Sequence, residues 1–276
     1  MTGATGQFAG LVLPKFKQSG HRVFALVQNE AKGKEALFRG ADRFVVGNLY
    51  EPGSLATAIH GMEAVFHIIP AFQREVEAGV NMVAAARDAG VRKFVFSSVY
   101  HPSLSLVNHA DKRPAEEALY LSGMDYTILQ PAMYMQMLGQ AYTQAMITGS
   151  ITMPYSIHSK MSYVDYRDVA KAAALSMIES RLSYGTFELC SPGMYNRIDL
   201  AAMMSNKLGR HIVASEISPG QWMKQAKIPP GSLRDGLFAM NTEYDRYGFS
   251  GGNSLVLETI LREKPRTVAG YINELN

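Results

Sequence analysis

The chain has a single cysteine, Cys190, among 276 residues. One thiol cannot close an intrachain disulfide, and a cysteine-built metal site needs several thiols. The expectation is a reducing, cytoplasmic setting and no metal centre. Tryptophan is as scarce, with Trp222 alone. No apolar stretch approaches the roughly 18 residues of a membrane span. Basic residues are scattered rather than clustered and the net charge is only +3, so neither nucleic acid nor a membrane surface is expected as a partner. The opening residues have no basic or apolar signal-peptide region, and no secretory signal is expected. Internal repeats and low-complexity tracts are also lacking.

What is present is an ordinary globular composition, 47% hydrophobic and 18% charged, long enough for one large domain or a domain with a smaller lobe. The first half alternates short apolar runs with helical segments. "HRVFALVQ" (21–28), "RFVVGNL" (43–49), "EAVFHIIP" (63–70), "RKFVFSSV" (92–99) and "DYTILQPA" (125–132) read as strands. Their nearly continuous apolar character suits strands buried on both faces. Helices are expected over 7–19, over 54–60 from Ser54 as N-cap with Pro52 before it, over 73–89 up to Gly90, and over 111–122 up to Gly123. Such alternation implies parallel strands joined by right-handed crossovers, hence a doubly wound α/β sheet. Pro14 falls inside the first helix and predicts a mild kink. After residue 135 the pattern changes. A Met- and aromatic-rich stretch and a loop-like segment precede a strand and helix over 162–180 and a strand over 185–192. The tail is read as mostly helical. The division expected is 1–135 plus about 162–192 as the sheet domain, with about 136–161 plus 193–276 as a smaller substrate lobe.

The chain begins "MTGATGQFAG". Gly3, Gly6 and Ala9 have the spacing of a turn that cradles a pyrophosphate: Gly3 for the tight turn, Gly6 for close backbone approach, Ala9 for helix–sheet packing. The helix that follows offers free N–H groups and the positive end of its dipole. Small residues at this spacing also fit an ordinary turn, and only Met1 and Thr2 precede it. The unit-sized interval to the next strand at 21 favours the phosphate loop.

Three segments, "TGATGQFAG", "DKRPAEEALYLSGMDYTILQPAMYMQ" and "SYVDYRDVAKAA", occur in this order. Together they resemble the NmrA-like branch of the atypical short-chain dehydrogenase/reductases, from residue 2 to about 190 and more loosely beyond. The resemblance implies a Rossmann-type sheet that binds NAD(P), and either a reductase of carbonyl or quinone compounds or a non-catalytic redox sensor that acts through a protein partner. The family carries an apolar strand ahead of its glycine loop. Its absence leads to the expectation of a truncated first strand ending at Thr2, and of a native start upstream of Met1.

The resemblance also implies site residues. Gly3, Thr5, Gly6, Gln7 and Phe8 form the loop. Gln28 and Asn29 follow the strand that reads the adenosine ribose. No carboxylate stands there and Lys32 and Lys34 are near, so NADP(H) is preferred over NAD(H), although relatives that bind NADP often carry Arg at the position of Gln28. The alternative is that these side chains form a solvated surface. Asn48 and Leu49 resemble the family's "GDL" segment with Asn for Asp. Ile68, Ile69 and Pro70 line the adenosine side or are plain core. Ser97 and Ser98 end the fourth recognised strand, Ser97 as a cofactor contact and Ser98 as the catalytic serine that orients the substrate carbonyl. Lys112 takes the lysine place of the "YxxxK" motif, to hold the nicotinamide ribose, but the tyrosine place falls on Asn108. Asn cannot donate the proton, and His109, Tyr100, His101 and Tyr134 are the candidate substitutes. For His109 a surface residue is the favoured reading. Pro131, Ala132, Met133 and Tyr134 are read as passing under the nicotinamide. Met135, Met137 and Met146 are read as lining the second lobe or as core, Trp222 as a pocket cap or surface residue, and Asp165 and Asp168 as structural. The oligomeric state is not legible.

Overall fold

Strand formation follows the apolar runs of the sequence. The computed structural model describes every residue from Met1 to Asn276. Its strands are β1 (Phe24–Val27), β2 (Arg43–Val46), β3 (Ala64–Ile68), β4 (Lys93–Ser97), β5 (Asp125–Pro131), β6 (Met133–Tyr134), β7 (Ser150–Met153), β8 (Met161–Val164), β9 (Gly185–Leu189), β10 (Met194–Tyr195) and β11 (Val213–Glu216). The chain divides into two units. One is Met1–Pro131 with Tyr166–Leu189, and the other is Ala132–Asp165 with Cys190–Asn276. No helix is long and apolar enough to cross a membrane.

In the first unit β3, β4, β5 and β9 form a parallel sheet in the order β3-β4-β5-β9, and β1 pairs with β2, also parallel. Met1 and Thr2 lie between these two sets. The Leu26 N–H donates to the Met1 carbonyl at 2.9 Å, and the Thr2 N–H donates to the Phe66 carbonyl at 3.0 Å. The Thr2 hydroxyl adds bonds to Ile68, accepting from its N–H at 2.9 Å and donating to its carbonyl at 3.1 Å. Residues 1–2 therefore occupy the strand place, and the backbone groups they reach are paired.

Side chains alternate across this sheet, as strand geometry requires. Val65, Phe94, Phe96 and Ile128 pack with Leu55, Ala78, Met82, Ala115 and Leu119 from the helices Pro52–Ile59, Glu75–Asp88 and Arg113–Tyr120. The intervening residues face the other way: Phe66 meets Phe16 edge-on at 5.6 Å, and Ser97 meets Tyr166 of the helix Tyr166–Ile178. Helices thus cover both faces, and the fold is a doubly wound α/β fold. β2 is the exception to the continuous-burial reading. It lies at the sheet margin, and Arg43 and Val46 are exposed.

Three local expectations are corrected. The first helix begins as a 3-10 turn, Ala9–Leu11, and becomes α-helical only at Val12–Gln18. Pro14 then sits in the first α-helical turn, where its missing N–H has no partner to lose, and the α-helix continues through it. The helix after β2 begins at Pro52, not Ser54, because the Ser54 hydroxyl accepts from the Asn48 N–H at 3.0 Å. A helix also fills Glu30–Phe38, capped by the Asn29 side chain on the Lys32 N–H, where no helix was assigned from sequence.

The second unit holds more strand than its sequence suggested. β7 pairs with β11 in parallel, and β6, β8 and β10 form a second small sheet. The helix Arg197–Leu208 opens with a reciprocal capping box between Asn196 and Asp199. Arg197 is buried and donates to the carbonyls of Tyr155 and Ser215. Met135 is wholly buried, as core, and Met137 is exposed. Cys190 is buried and its thiol donates to the Asn253 carbonyl at 3.0 Å.

Candidate functional site

The glycine turn has the geometry of a backbone cradle. Gly3 has φ +70°, and a Cβ there would stand 2.8 Å from Ile68 Cγ2 and 2.9 Å from Ala9 Cβ. The Gly6 N–H donates to the Gly3 carbonyl at 2.8 Å, and a Cβ on Gly6 would lie 3.1 Å from that carbonyl oxygen. Ala9 is buried against Gly3. Only glycine fits at the first position, and small residues suit the others. Thr5 and Phe8 are half-buried and Gln7 is exposed. Phe8 packs on Tyr166 with ring centroids 5.8 Å apart. The turn lies where parallel strands end and a helix begins, which is where open α/β sheets bind their ligands.

Beside the loop, the helix Glu30–Phe38 carries a ladder of charges. Lys32 and Arg39 both pair with Glu35, at 2.8 and 2.6 Å. The Arg39 guanidinium also donates to the Gly6 carbonyl at 3.4 Å, and a Cβ on Gly10 would lie 3.0 Å from its Nη1. Gly10 leaves room for this cation. Gln28 and Asn29 are exposed, with the Asn29 side chain occupied as the helix cap. The Asn48 side chain accepts from the Tyr50 N–H at 3.1 Å and donates to Glu51 at 2.8 Å. It builds its own turn. Leu49 is half-buried, and its carbonyl accepts from Asn81 at 3.1 Å. Ile68 and Pro70 are half-buried and Ile69 is buried in the core.

At the other strand ends the polar residues are already engaged. The Ser97 hydroxyl lies 3.1 Å from the Tyr166 hydroxyl. Ser98 donates to Glu116 at 2.5 Å, and the Gln130 amide donates to the same carboxylate oxygen at 2.9 Å. Burial raises the Glu116 carboxyl above its ordinary value, and these two bonds work against the shift. Burial likewise raises the Tyr166 phenol. Neither Glu116 nor Tyr166 was singled out from sequence. Glu116 could have been found, because it opens the "EEALYLSGMDY" segment, on the helix that directly precedes the strand carrying Gln130.

Lys112 is 5% exposed and its ammonium pairs with Glu75, which is 1% exposed. Burial lowers the lysine to about 8. His67 on β3 lies against Phe94 and Phe96 and within 3.1 Å of the Thr2 hydroxyl. Burial, with Lys112 nearby, lowers it to about 3, so it is neutral. Asn108 is half-buried beside His109. His109 is buried rather than a surface residue. Its Nδ1–H donates to the His101 carbonyl at 3.1 Å, and burial lowers its pKa. His101, with φ +53°, pairs with Glu188 at 2.7 Å and packs on the Tyr100 ring at 4.0 Å. Pro131 is buried at the end of β5. Ala132, buried, and Tyr134, half-buried, belong to the second unit. No cluster of side chains suited to a metal ion is present.

The chain belongs to the NmrA-like family, whose sequence profile matches residues 1–272. It is 28% identical to the NAD(P)H azoreductase of Xenophilus azovorans over 256 residues, covering 88% of this chain and 85% of that protein. Among solved structures it is similar to the Citrobacter sp. triphenylmethane reductase complexed with NADP(H), with TM-score 0.86 and 21% identity over 100% of this chain and 99% of the other. It is also similar to the NADPH-dependent quinone oxidoreductase QOR2 of Escherichia coli complexed with NADPH, with TM-score 0.85 and 22% identity over 98% and 97% of the two chains. These likenesses establish the Rossmann-type fold.

Proposed function

We propose that this protein is a cytoplasmic NADPH-dependent reductase of a small carbonyl or quinone compound. The observation that carries the reading is the glycine cradle, with Gly3 left-handed and closed on Ile68 and Ala9 in a chain of the NmrA-like family. The relatives named as an NAD(P)H azoreductase and an NADPH-dependent quinone oxidoreductase support it.

In this reading the backbone of residues 3–8 holds the pyrophosphate, with Ile68 on the adenosine side and Ser97 and Pro131 at the neighbouring strand ends. Lys32 and Arg39 supply the positive charge that favours a 2′-phosphate, in place of an arginine at Gln28. Lys112 holds the nicotinamide ribose. The bound nicotinamide supplies a hydride. The proton for the reduced oxygen comes from a side chain other than Asn108, and His101, oriented by Glu188, is the group proposed for it. Ser98 is committed to Glu116 and acts as a support for the strand end.

The test is NADPH consumption with a panel of quinones and aldehydes. Turnover abolished by Lys112→Ala, with NADPH favoured over NADH, is the expected result. Equal use of NADH and NADPH removes the 2′-phosphate reading. Asn108 favours a second reading, a sensor that binds the dinucleotide and signals through a protein partner. Tight NADPH binding with no turnover across the panel decides for it.

A further inference from the structure

Glu75 is a carboxylate placed where a helix surface residue would normally be. It begins the helix Glu75–Asp88, and its neighbours Arg74 and Val76 are exposed, yet it is almost wholly buried. The chain reaches it through two left-handed non-glycine residues, Phe72 at φ +60° and Arg74 at φ +46°. Residues in that region persist only where their surroundings over-determine them. Here the Phe72 N–H donates to Glu75 Oε1 at 2.6 Å, and Oε2 contacts the Lys112 ammonium.

The helix packing sets up this meeting. A Cβ on Gly79 would stand 2.6 Å from the Ala115 Cβ, so the helices Glu75–Asp88 and Arg113–Tyr120 nearly touch there. One turn before Gly79 is Glu75, and about one turn before Ala115 is Lys112. Close approach at the small pair brings the two charges together at the strand ends.

We propose that Glu75 is the positioning residue for Lys112: its carboxylate is the counter-charge that keeps the buried ammonium protonated and fixed in direction for the dinucleotide ribose. The proposal rests on the reading of Lys112 as a dinucleotide-binding residue. No other nearby group does this. His67 from β3 is neutral. Arg74 and Glu77 pair with each other at 2.6 Å. On the segment of Lys112 itself, the Glu116 carboxylate is bonded to Ser98 and Gln130, and His109 is bonded to the His101 carbonyl. Asp111 and Arg113 flank Lys112 in the chain, but the ammonium pairs with Glu75 and the Arg113 guanidinium donates to the Ala110 carbonyl at 3.3 Å. Burial acts to discharge Lys112, and Glu75 opposes it.

The test is NADPH affinity, measured by titration from pH 6 to 9.5 for wild type, Glu75→Gln, Glu75→Asp and Lys112→Ala. Losing a carboxylate in contact typically moves a titration by about one to three pH units. The expected result is that Glu75→Gln loses affinity at a pH lower by that interval, so that its deficit against wild type is smallest at pH 6 and widens to at least about tenfold at pH 8.5. Glu75→Asp, which keeps the charge, is expected to restore most of the profile, and if Glu75→Gln does not fold, a smaller downward shift in Glu75→Asp carries the test. A Glu75→Gln profile superimposed on wild type overturns the proposal, as does an equal loss at every pH, which marks a purely structural role. If Lys112→Ala itself binds NADPH as wild type, the ribose reading falls and Glu75 with it. Weak binding by Lys112→Ala with an unshifted Glu75→Gln overturns the Glu75 proposal alone.

Discussion

Gly3→Ala separates conformational need from ligand approach in the glycine turn. Residue 3 has φ +70°, and a left-handed conformation costs an L-residue roughly 1–2 kcal/mol. The new methyl would also lie 2.8 Å from Ile68 Cγ2 and 2.9 Å from Ala9 Cβ. Neither neighbour can yield cheaply. The Ala9 Cβ is fixed to helix backbone, and Ile68, at the end of β3, is β-branched and restricted at χ1. Overpacking of this kind typically adds about 1–3 kcal/mol, for a total of about 3 kcal/mol. At Gly6 no left-handed conformation is required, and a Cβ meets only the Gly3 carbonyl oxygen at 3.1 Å. Gly6→Ala is expected to cost about 1 kcal/mol or less, and to weaken NADPH binding instead, because its methyl stands on the face read as approaching the pyrophosphate. The assay is urea unfolding with the slope checked for constancy, paired with NADPH titration. Equal unfolding midpoints for the two variants refute the packing argument. Undiminished NADPH affinity in Gly6→Ala refutes the cradle.

Other outcomes follow from the same structure. Because the Glu116 carboxyl is raised in the folded state, its contribution is fully present below the ordinary carboxylate range and is lost as pH rises through the folded value. Glu116→Gln, which can still accept from Ser98 and Gln130, is therefore expected to match wild type near pH 4 and exceed it in stability at pH 8, as read by denaturant midpoints at both pH values. Phe66→Ala removes a buried ring packed on Phe16 and is expected to cost about 3–5 kcal/mol in the same assay. Asp125→Ala strips the partly buried Lys93 of its 2.9 Å ion pair and removes an acceptor from Ser183. A loss of about 1–3 kcal/mol is expected, larger than that of the exposed pair Arg92–Glu63, which is expected to fall below about 1 kcal/mol.

The sheet was legible because its strands are buried by helices on both sides, which makes "EAVFHII" and "KFVFSS" stand out as apolar runs. The glycine loop was legible because φ and close approach restrict it to particular residues. What escaped reading depends on partners distant in sequence. β7 and β11 are short and mixed in polarity, and they pair across 63 positions, as in Ser150↔Val213. The Glu75–Lys112 pair requires two helices to meet at Gly79 and Ala115, a contact that no local spacing announces. The local bonds of two asparagines also went unread: the Asn29 side chain caps the helix Glu30–Phe38 and the Asn48 side chain closes its own turn, both habits of short polar side chains. Pro14 was misplaced because a 3-10 turn delays the α-helix by three residues.

The lone thiol of Cys190 offers a clock for the second unit. Its sulfur is sealed from solvent and bonded to the Asn253 carbonyl, so an alkylating reagent reaches it only when the surrounding backbone opens. The labelling rate, divided by that of an unstructured thiol, gives the free energy of that opening without any probe having to be introduced. A substrate or partner that settles on this unit will announce itself by slowing the clock.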